Sequence, residues 1–449
     1  MISRLDNYDW LVGRSAAIFC IVSTEKWIEA DKRHGWHPFT RQAEWCAADH
    51  QPLVLVAGEG VWLEDSQGNR YIDGNSSIWT NVHGHAHPVL NAALAEQAQK
   101  VCHTSYLGFA NPRASELAER LAGYFTSLQR VFFSDDGSTA MECALKMEVQ
   151  YRQLVGQGEK CEIIAFDSCY HGDTMGAASL GGVDAFASRF RSFGMPVRHV
   201  SSVEQLVELD SSQLENVAAL VIEPMVQGVN QIHVWPEGML VKLREWCDAH
   251  DVHLIFDEVM TGFGRTGKMF ACQHEAVEPD FLCLAKGLTG GYLPLAATLT
   301  NEKIYSAFIG SADRAFYYGH SYTANQLGCA VALANLDLFE SENTLAQLAG
   351  KIQLLSELLG ELAEEFVEIY DIRQCGFVAG VELRQLDGKK FPLDDRLGEH
   401  WCVKAREFGL LTRPVLDTIV VMPPLSITED ELRQLVAAMA KTMKAYFNH

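Results

Sequence analysis

A chain of 449 residues with a formal net charge of −22 is a poor partner for nucleic acid, whose affinity comes mainly from neutralising phosphates. Its 48% hydrophobic and 21% charged content is that of a soluble globular protein, long enough for a large domain and a smaller one, each with its own core. No run of about 18 apolar residues occurs, which argues against a transmembrane helix. The 12 cysteines are scattered without a Cys-x-x-Cys pair, and Cys143, Cys283 and Cys329 sit in apolar surroundings, which fits a cytoplasmic protein better than a disulfide framework or a zinc site.

Residues 1–35 read as an N-terminal extension. An apolar run at 15–22 after Arg14 resembles the hydrophobic region of a secretory signal, but Asp6 and Asp9 precede it and no clear cleavage site follows, so a disordered or helical extension is expected. Residues 53–73 alternate and turn like strands, with Gly58, Gly60 and the polar cluster 65–69 as hairpin breaks, which predicts an antiparallel element. The loop 76–85 is rich in aromatic and imidazole groups. His83, His85 and His87 lack cysteine or carboxylate partners at ligand spacing and are not read as a metal site. Segments 89–101 and 114–126 have helical periodicity.

Val131-Phe132-Phe133-Ser134 is a short strand running into Asp135-Asp136-Gly137-Ser138-Thr139 and then a helix. A strand, a glycine turn and a helix N-terminus offer backbone N–H groups and a favourable dipole to a phosphate; the same residues also fit a plain N-cap by Ser138 or Asp136. A second buried strand, 163–166, leads to Cys169-Tyr170-His171-Gly172-Asp173, where Tyr170 is placed to stack on a flat ligand or to sit in the core. The run 218–222 ends in Glu223-Pro224, and a helix at 236–249 returns the chain to a central strand. That strand, Leu254-Ile255-Phe256, has the continuous apolar character of one buried on both faces and ends in Asp257 and Glu258. After a glycine-rich turn containing Arg265, a further apolar stretch, 281–285, delivers Lys286 ahead of Gly287 and the Gly290-Gly291 pair.

Strands alternating with helices between 130 and 300 predict an α/β fold with a mostly parallel, doubly wound sheet, whose carboxyl edge gathers these polar residues. A lysine at a buried strand end is costly unless it is paired or chemically used. Pyridoxal phosphate (PLP) chemistry uses such a lysine together with an acid that keeps the pyridine nitrogen protonated. Asp257 and Lys286 are candidates for that pair, and Val259 for a contact on the ring from the same strand face. A surface Asp and a surface Lys are the alternative. Residues 316–325 form a polar aromatic loop before a helix at 326–340. The tail from 346 reads as helix, strand, strand, helix, in which Arg413, beside Pro414, suits a two-point grip on a carboxylate or a place on the surface.

The chain carries His-Pro-Phe-Thr at 37–40, Ser-Ser-Ile-Trp at 76–79, Tyr-His-Gly-Asp-Thr at 170–174 and Asp-Glu-Val at 257–259 with the turn 261–267. With Lys286-Gly287 and Thr-Arg-Pro at 412–414, these resemble the class III aminotransferases of PLP fold type I. Among them they look most like the biotin-pathway branch, which converts 8-amino-7-oxononanoate to 7,8-diaminononanoate. The resemblance runs from Trp36 to Pro424. It implies a large PLP-binding domain at 76–341 and a smaller α+β domain built from both chain ends, 36–75 and 342–449. It also implies a cytoplasmic homodimer acting on small molecules, with the active site at the subunit interface and no membrane or metal involved. By the same resemblance Lys286 forms the Schiff base and shuttles the proton, Asp257 pairs with the pyridinium nitrogen and Tyr170 stacks on the ring. Gly137 and Ser138 hold the phosphate, completed by the partner subunit's Ser321 with Gly319 and His320. Arg413 binds the substrate carboxylate, and Phe39, Ile78, Trp79, Arg265 and Gly319 belong to the substrate pocket. The implied reaction is ping-pong, through PLP and pyridoxamine phosphate.

Departures from the pattern bear on the amino donor. Relatives that use S-adenosylmethionine generally carry tyrosine where this chain has Phe39, tryptophan where it has Ile78, and a Gly-Pro-Thr form where it has Gly319-His320-Ser321. With His83-Gly84-His85 and the segment 290–294, these features look more like the branch that uses lysine, and a slight preference for lysine follows. Losing a hydroxyl at Phe39 removes a hydrogen-bond partner near the donor, which can change discrimination. Asp136 stands where serine is usual; a carboxylate beside a phosphate is unfavourable, so it is read as pointing away. The neighbouring readings are another class III transaminase, of an omega-amino acid or diamine, and a non-catalytic PLP-binding paralogue, against which the intact Asp257, Lys286 and Arg413 count. A nucleotide-binding oxidoreductase is set aside for want of Gly-x-Gly-x-x-Gly between a first strand and helix.

Overall fold

The computed structural model describes residues 16–447, without the side chains of 16–22, 187 and 191. Arg14 and Ser15 therefore lie outside the described residues, and from Ala16–His34 the extension is a helix. Its C-terminal end is anchored: Lys32 Nζ donates to the carbonyls of Ala47 (2.7 Å) and His50 (2.6 Å), and Asp31 accepts from Trp45 Nε1 (2.9 Å). Next, β1 (Leu55–Glu59), β2 (Trp62–Asp65) and β3 (Arg70–Asp73) form the predicted antiparallel meander.

The sheet that carries the site comes next. Its strands are β4 (Arg130–Ser134), β5 (Glu162–Phe166), β6 (Val197–Val200) and β7 (Val217–Ile222). A two-stranded hairpin follows, β8 (Val226–Gln227) with β9 (His233–Val234), and then β10 (His253–Asp257), β11 (Phe281–Leu284) and β12 (Ala296–Thr300) complete the sheet. Seven of these strands lie in the order β4-β12-β11-β10-β7-β5-β6. β12 is antiparallel to β11 and β4, and every other neighbouring pair is parallel. All of β7, β10, β11 and β12 is buried, because the sheet is covered on both faces. Alternation along β10 and β11 feeds two cores: Ile255, Phe281 and Cys283 pack with Met141 and Leu145 of helix Gly137–Leu154, whereas Leu254, Phe256 and Leu282 pack with Leu240 and Leu243 of helix Met239–His250. At about 1.5–3 kcal/mol for each fully buried large apolar side chain, these layers fix where the strands end.

The tail is richer than the helix–strand–strand–helix expectation. It runs through helix Thr344–Glu365, β13 (Ile369–Cys375), β14 (Val378–Leu383), helix Leu397–Ala405, β15 (Leu410–Leu411), β16 (Pro414–Val415), β17 (Thr418–Val421) and helix Glu429–Phe447. β15 pairs in parallel with β3, so the two ends of the chain share one sheet. No described helix is long and apolar enough to cross a membrane.

Candidate active site

A cavity of about 710 Å³ opens along the edge where the parallel strands end. Asp257 closes β10, Lys286 follows β11, Tyr170 and His171 follow β5, Glu223 follows β7, and Gly137 and Ser138 head the helix after β4; all of them line the cavity. One edge collects them because parallel strands deliver their carboxyl ends to the same side.

Asp257 is held from two directions. Val259 N donates to Oδ1 (3.0 Å) and His171 Nδ1 donates to Oδ2 (2.7 Å). Burial disfavours the His171 cation, but the neighbouring Cys169 sulfur and the bond to Asp257 outweigh it and raise the imidazole pKa well above its ordinary value. Glu223 is pushed up to about 7, chiefly by burial, with His171 opposing and Asp257 adding; it accepts from the N–H groups of Tyr170 (3.2 Å) and Gly228 (2.9 Å). Lys286 is depressed below 10.5, chiefly by burial; Asp257 and Glu223 pull it back and Arg265 adds to the lowering. Its Nζ stands 4.9 Å from the centre of the Trp79 ring.

At the helix end, Asp136 is the N-cap. Its Oδ1 accepts from Thr139 N (2.9 Å), and Thr139 Oγ1 accepts from Asp136 N (3.0 Å). The cap engages Asp136 Oδ1, but Asp136 lines the cavity with Gly137 and Ser138, so, contrary to the expectation from the sequence, it does not stand clear of the ligand space. The Ser138 hydroxyl accepts from Thr174 N (2.8 Å). A β-carbon at Gly137 would come within 2.5 Å of Val259 Cγ1. Gly137→Ala is therefore expected to weaken cofactor retention by about tenfold or more, equivalent to ~1.4 kcal/mol, in a titration of cofactor-free protein with PLP.

Of the site residues expected from the sequence, Gly137, Ser138, Tyr170, Asp257, Val259, Lys286 and Trp79 meet at this cavity. β10 stops at Asp257, so Val259 reaches it from the following turn and not from the strand face. Arg265 departs from expectation: it is fully buried and outside the lining of this cavity, donating from one terminal nitrogen to Pro423 O (2.7 Å) and from the other to Asn81 O, with burial lowering its pKa to about 10. Phe39, Ile78, Gly319, Ser321 and Arg413 are exposed and stand outside the lining. His320 also stands outside it, with Nδ1 3.2 Å from Asp135 Oδ2 of its own chain. Phe39 is linked to the site at one remove, edge-on to Phe186 (5.3 Å), which is edge-on to Tyr170 (5.9 Å). The Tyr170 hydroxyl donates to Asp173 Oδ2 (2.8 Å). His171 and Glu223 carry roles the motifs do not announce; their places directly after strands are the signal that finds them. Glu258 faces away from Asp257 and accepts from the N–H groups of Ala271 (2.6 Å) and Cys272 (2.8 Å).

These residues fit PLP on three counts: an acid fixed at the strand end, an amine with a depressed pKa, and a helix N-terminus where glycine leaves no room for a β-carbon. Fold and site together define a PLP-dependent aminotransferase of fold type I. The sequence matches the model of the family "Aminotransferase class-III" over residues 45–443, and the chain belongs to that family. It is 46% identical to the adenosylmethionine-8-amino-7-oxononanoate aminotransferase of Geobacter sulfurreducens, over 92% of this chain and 96% of that one. The crystal structure of the similarly named protein of Methanocaldococcus jannaschii matches with a TM-score of 0.91 at 38% identity, covering 94% of this chain and 99% of that one. An amine transaminase from an uncultivated Pseudomonas species, solved in its PLP-bound form, matches with a TM-score of 0.85 at 32% identity over 91% and 98%.

Proposed function

We propose that this chain aminates 8-amino-7-oxononanoate to 7,8-diaminononanoate in biotin synthesis, with S-adenosylmethionine as the donor. The carrying observation is that Lys286 and Asp257 meet in one cavity of a chain 46% identical, over 92% of its length, to a protein named for that reaction. When bound, PLP supplies the electron sink that lets an amine release its Cα proton. Lys286 takes and returns that proton at Nζ, and the burial that depresses its pKa keeps the amine available as a base. Asp257, oriented by His171 and the Val259 N–H, holds a fixed negative charge for the ring nitrogen. Tyr170 and Val259, both in the lining, would hold the ring. The Gly137 and Ser138 N–H groups at the helix N-terminus take the phosphate. Donor and acceptor use the site in alternation, the ping-pong order; Trp79, in the lining, contacts the keto acid, and Arg413, exposed beyond the lining, takes its carboxylate.

The same reading makes the protein a homodimer, with the partner subunit's Ser321 and His320 completing the phosphate site. The exposure of Trp36, Leu107, Phe109, Tyr317 and Tyr322 supports such an interface. Lysine is the second reading for the donor, favoured by Phe39 and Ile78. Incubating PLP-loaded enzyme with 8-amino-7-oxononanoate and each donor in turn tests both. Diaminononanoate is expected to form at least about tenfold faster with S-adenosylmethionine, a gap of ~1.4 kcal/mol. A faster reaction with lysine reverses the donor, and no product with either points to a different class III substrate.

A further inference from the structure

Residues 76–79 run through a conformation that L-residues avoid. Ser76, Ser77, Ile78 and Trp79 have φ of +46°, +49°, +68° and +67°, one left-handed turn closed by Trp79 N on Asn75 O (2.9 Å) and Thr80 N on Ser76 O (2.9 Å). Left-handed helical geometry is unfavourable at every non-glycine residue and persists only where the surroundings over-determine it.

Here they do. Asp73 Oδ1 accepts from Ser77 N (2.9 Å), and its Oδ2 accepts from Ser77 Oγ (2.8 Å) and His85 Nε2 (2.9 Å). The other ring nitrogen of His85 accepts from Asn81 Nδ2 (3.2 Å), which fixes the tautomer that Asp73 requires. Trp79 Nε1 donates to Asn75 Oδ1 (2.7 Å), and Ser76 Oγ donates to Met422 O (2.7 Å). Gly228 lies so close under the indole that a β-carbon there would come within 2.9 Å of Trp79 Cζ3. The turn thereby sets the Trp79 ring 4.9 Å from Lys286 Nζ, although neither Asp73 nor His85 reaches the cavity.

We propose that Asp73 and His85 are positioning residues of aminotransfer: they hold the left-handed turn that lays the Trp79 indole over Lys286 and makes it a wall of the cavity. Asp73→Asn turns an amide N–H₂ toward groups that donate, so the clamp fails and the turn relaxes toward ordinary backbone. The inference rests on the proposed function only for the identity of the acceptor.

The test compares Asp73→Asn, Trp79→Ala and the double variant in full-length enzyme. Each single change is expected to raise KM for 8-amino-7-oxononanoate about tenfold with kcat held within about threefold, since a misplaced wall costs binding first. The double variant is expected to be no worse than Trp79→Ala alone, because both changes remove the same wall. In cofactor-free protein, labelling of Lys286 by trinitrobenzenesulfonate, located by peptide mass spectrometry, is expected to quicken several-fold in both single variants. Wild-type KM and wild-type labelling in Asp73→Asn, or effects that multiply in the double variant, overturn the proposal. If Asp73→Asn does not fold, His85→Ala, which removes one donor to Asp73, carries the same comparison. The labelling needs no substrate, so it decides the inference even if the keto acid proves not to be the acceptor.

Discussion

Lys286→Ala is expected to lower turnover by about four orders of magnitude, the upper range for loss of a positioned acid–base group. Nothing else described at the cavity can replace its amine: Glu223 is engaged by two backbone N–H groups and His171 by Asp257. The variant is expected to keep its fold, because burial in the native state opposes the Lys286 charge and its removal relieves that opposition. The sign of the pH dependence follows. The native pKa lies below the 10.5 of an ordinary lysine, so between the two values the unfolded chain binds more protons. Wild-type stability relative to the variant therefore rises with pH through that window and is lowest beneath it. Steady-state assays with thermal melts at several pH values check both parts, and a variant that retains substantial turnover refutes the role given to Lys286.

Asp257→Asn is expected to cost about two to three orders of magnitude in kcat, the scale for losing one preorganised electrostatic partner of a reacting group. The amide is close in shape but carries no charge for the ring nitrogen. It also removes one of the two influences that raise the His171 pKa, the other being the Cys169 sulfur. Two readouts follow: a drop in kcat, and a His171 imidazole titrating lower than in wild type by NMR. A kcat unchanged by the substitution would remove Asp257 from the chemistry, whatever its place in the cavity.

The parts of the site legible in the sequence are those written in local signals. Leu254-Ile255-Phe256 followed by Asp257 marked a buried strand with an acid at its end, and the chain builds β10 there. The apolar stretch before Lys286 did the same for β11. What stayed illegible depends on contacts distant in sequence. Arg265 sits in a glycine turn that suggests a pocket wall, but its partners, Asn81 and Pro423, come from far along the chain and turn it into a buried strut. Glu258 is adjacent to Asp257 but, past the end of β10, is drawn away from the cavity by the backbone N–H groups of Ala271 and Cys272, thirteen and fourteen residues on. Ala296–Thr300 is too rich in small and hydroxyl residues to stand out, so its antiparallel insertion as β12 appears only once Phe133 and Cys283 flank it. No glycine announces the left-handed turn at 76–79, because tertiary hydrogen bonds enforce it against local preference.

The most direct test of the account is the absorbance of PLP-loaded protein mixed with 7,8-diaminononanoate alone. If this chain moves amino groups on and off that diamine, the cofactor's absorption band is lost and 8-amino-7-oxononanoate appears in amounts up to one per active site. An unchanged band, while another amine bleaches it, would leave a class III aminotransferase in place and contradict the biotin-pathway assignment.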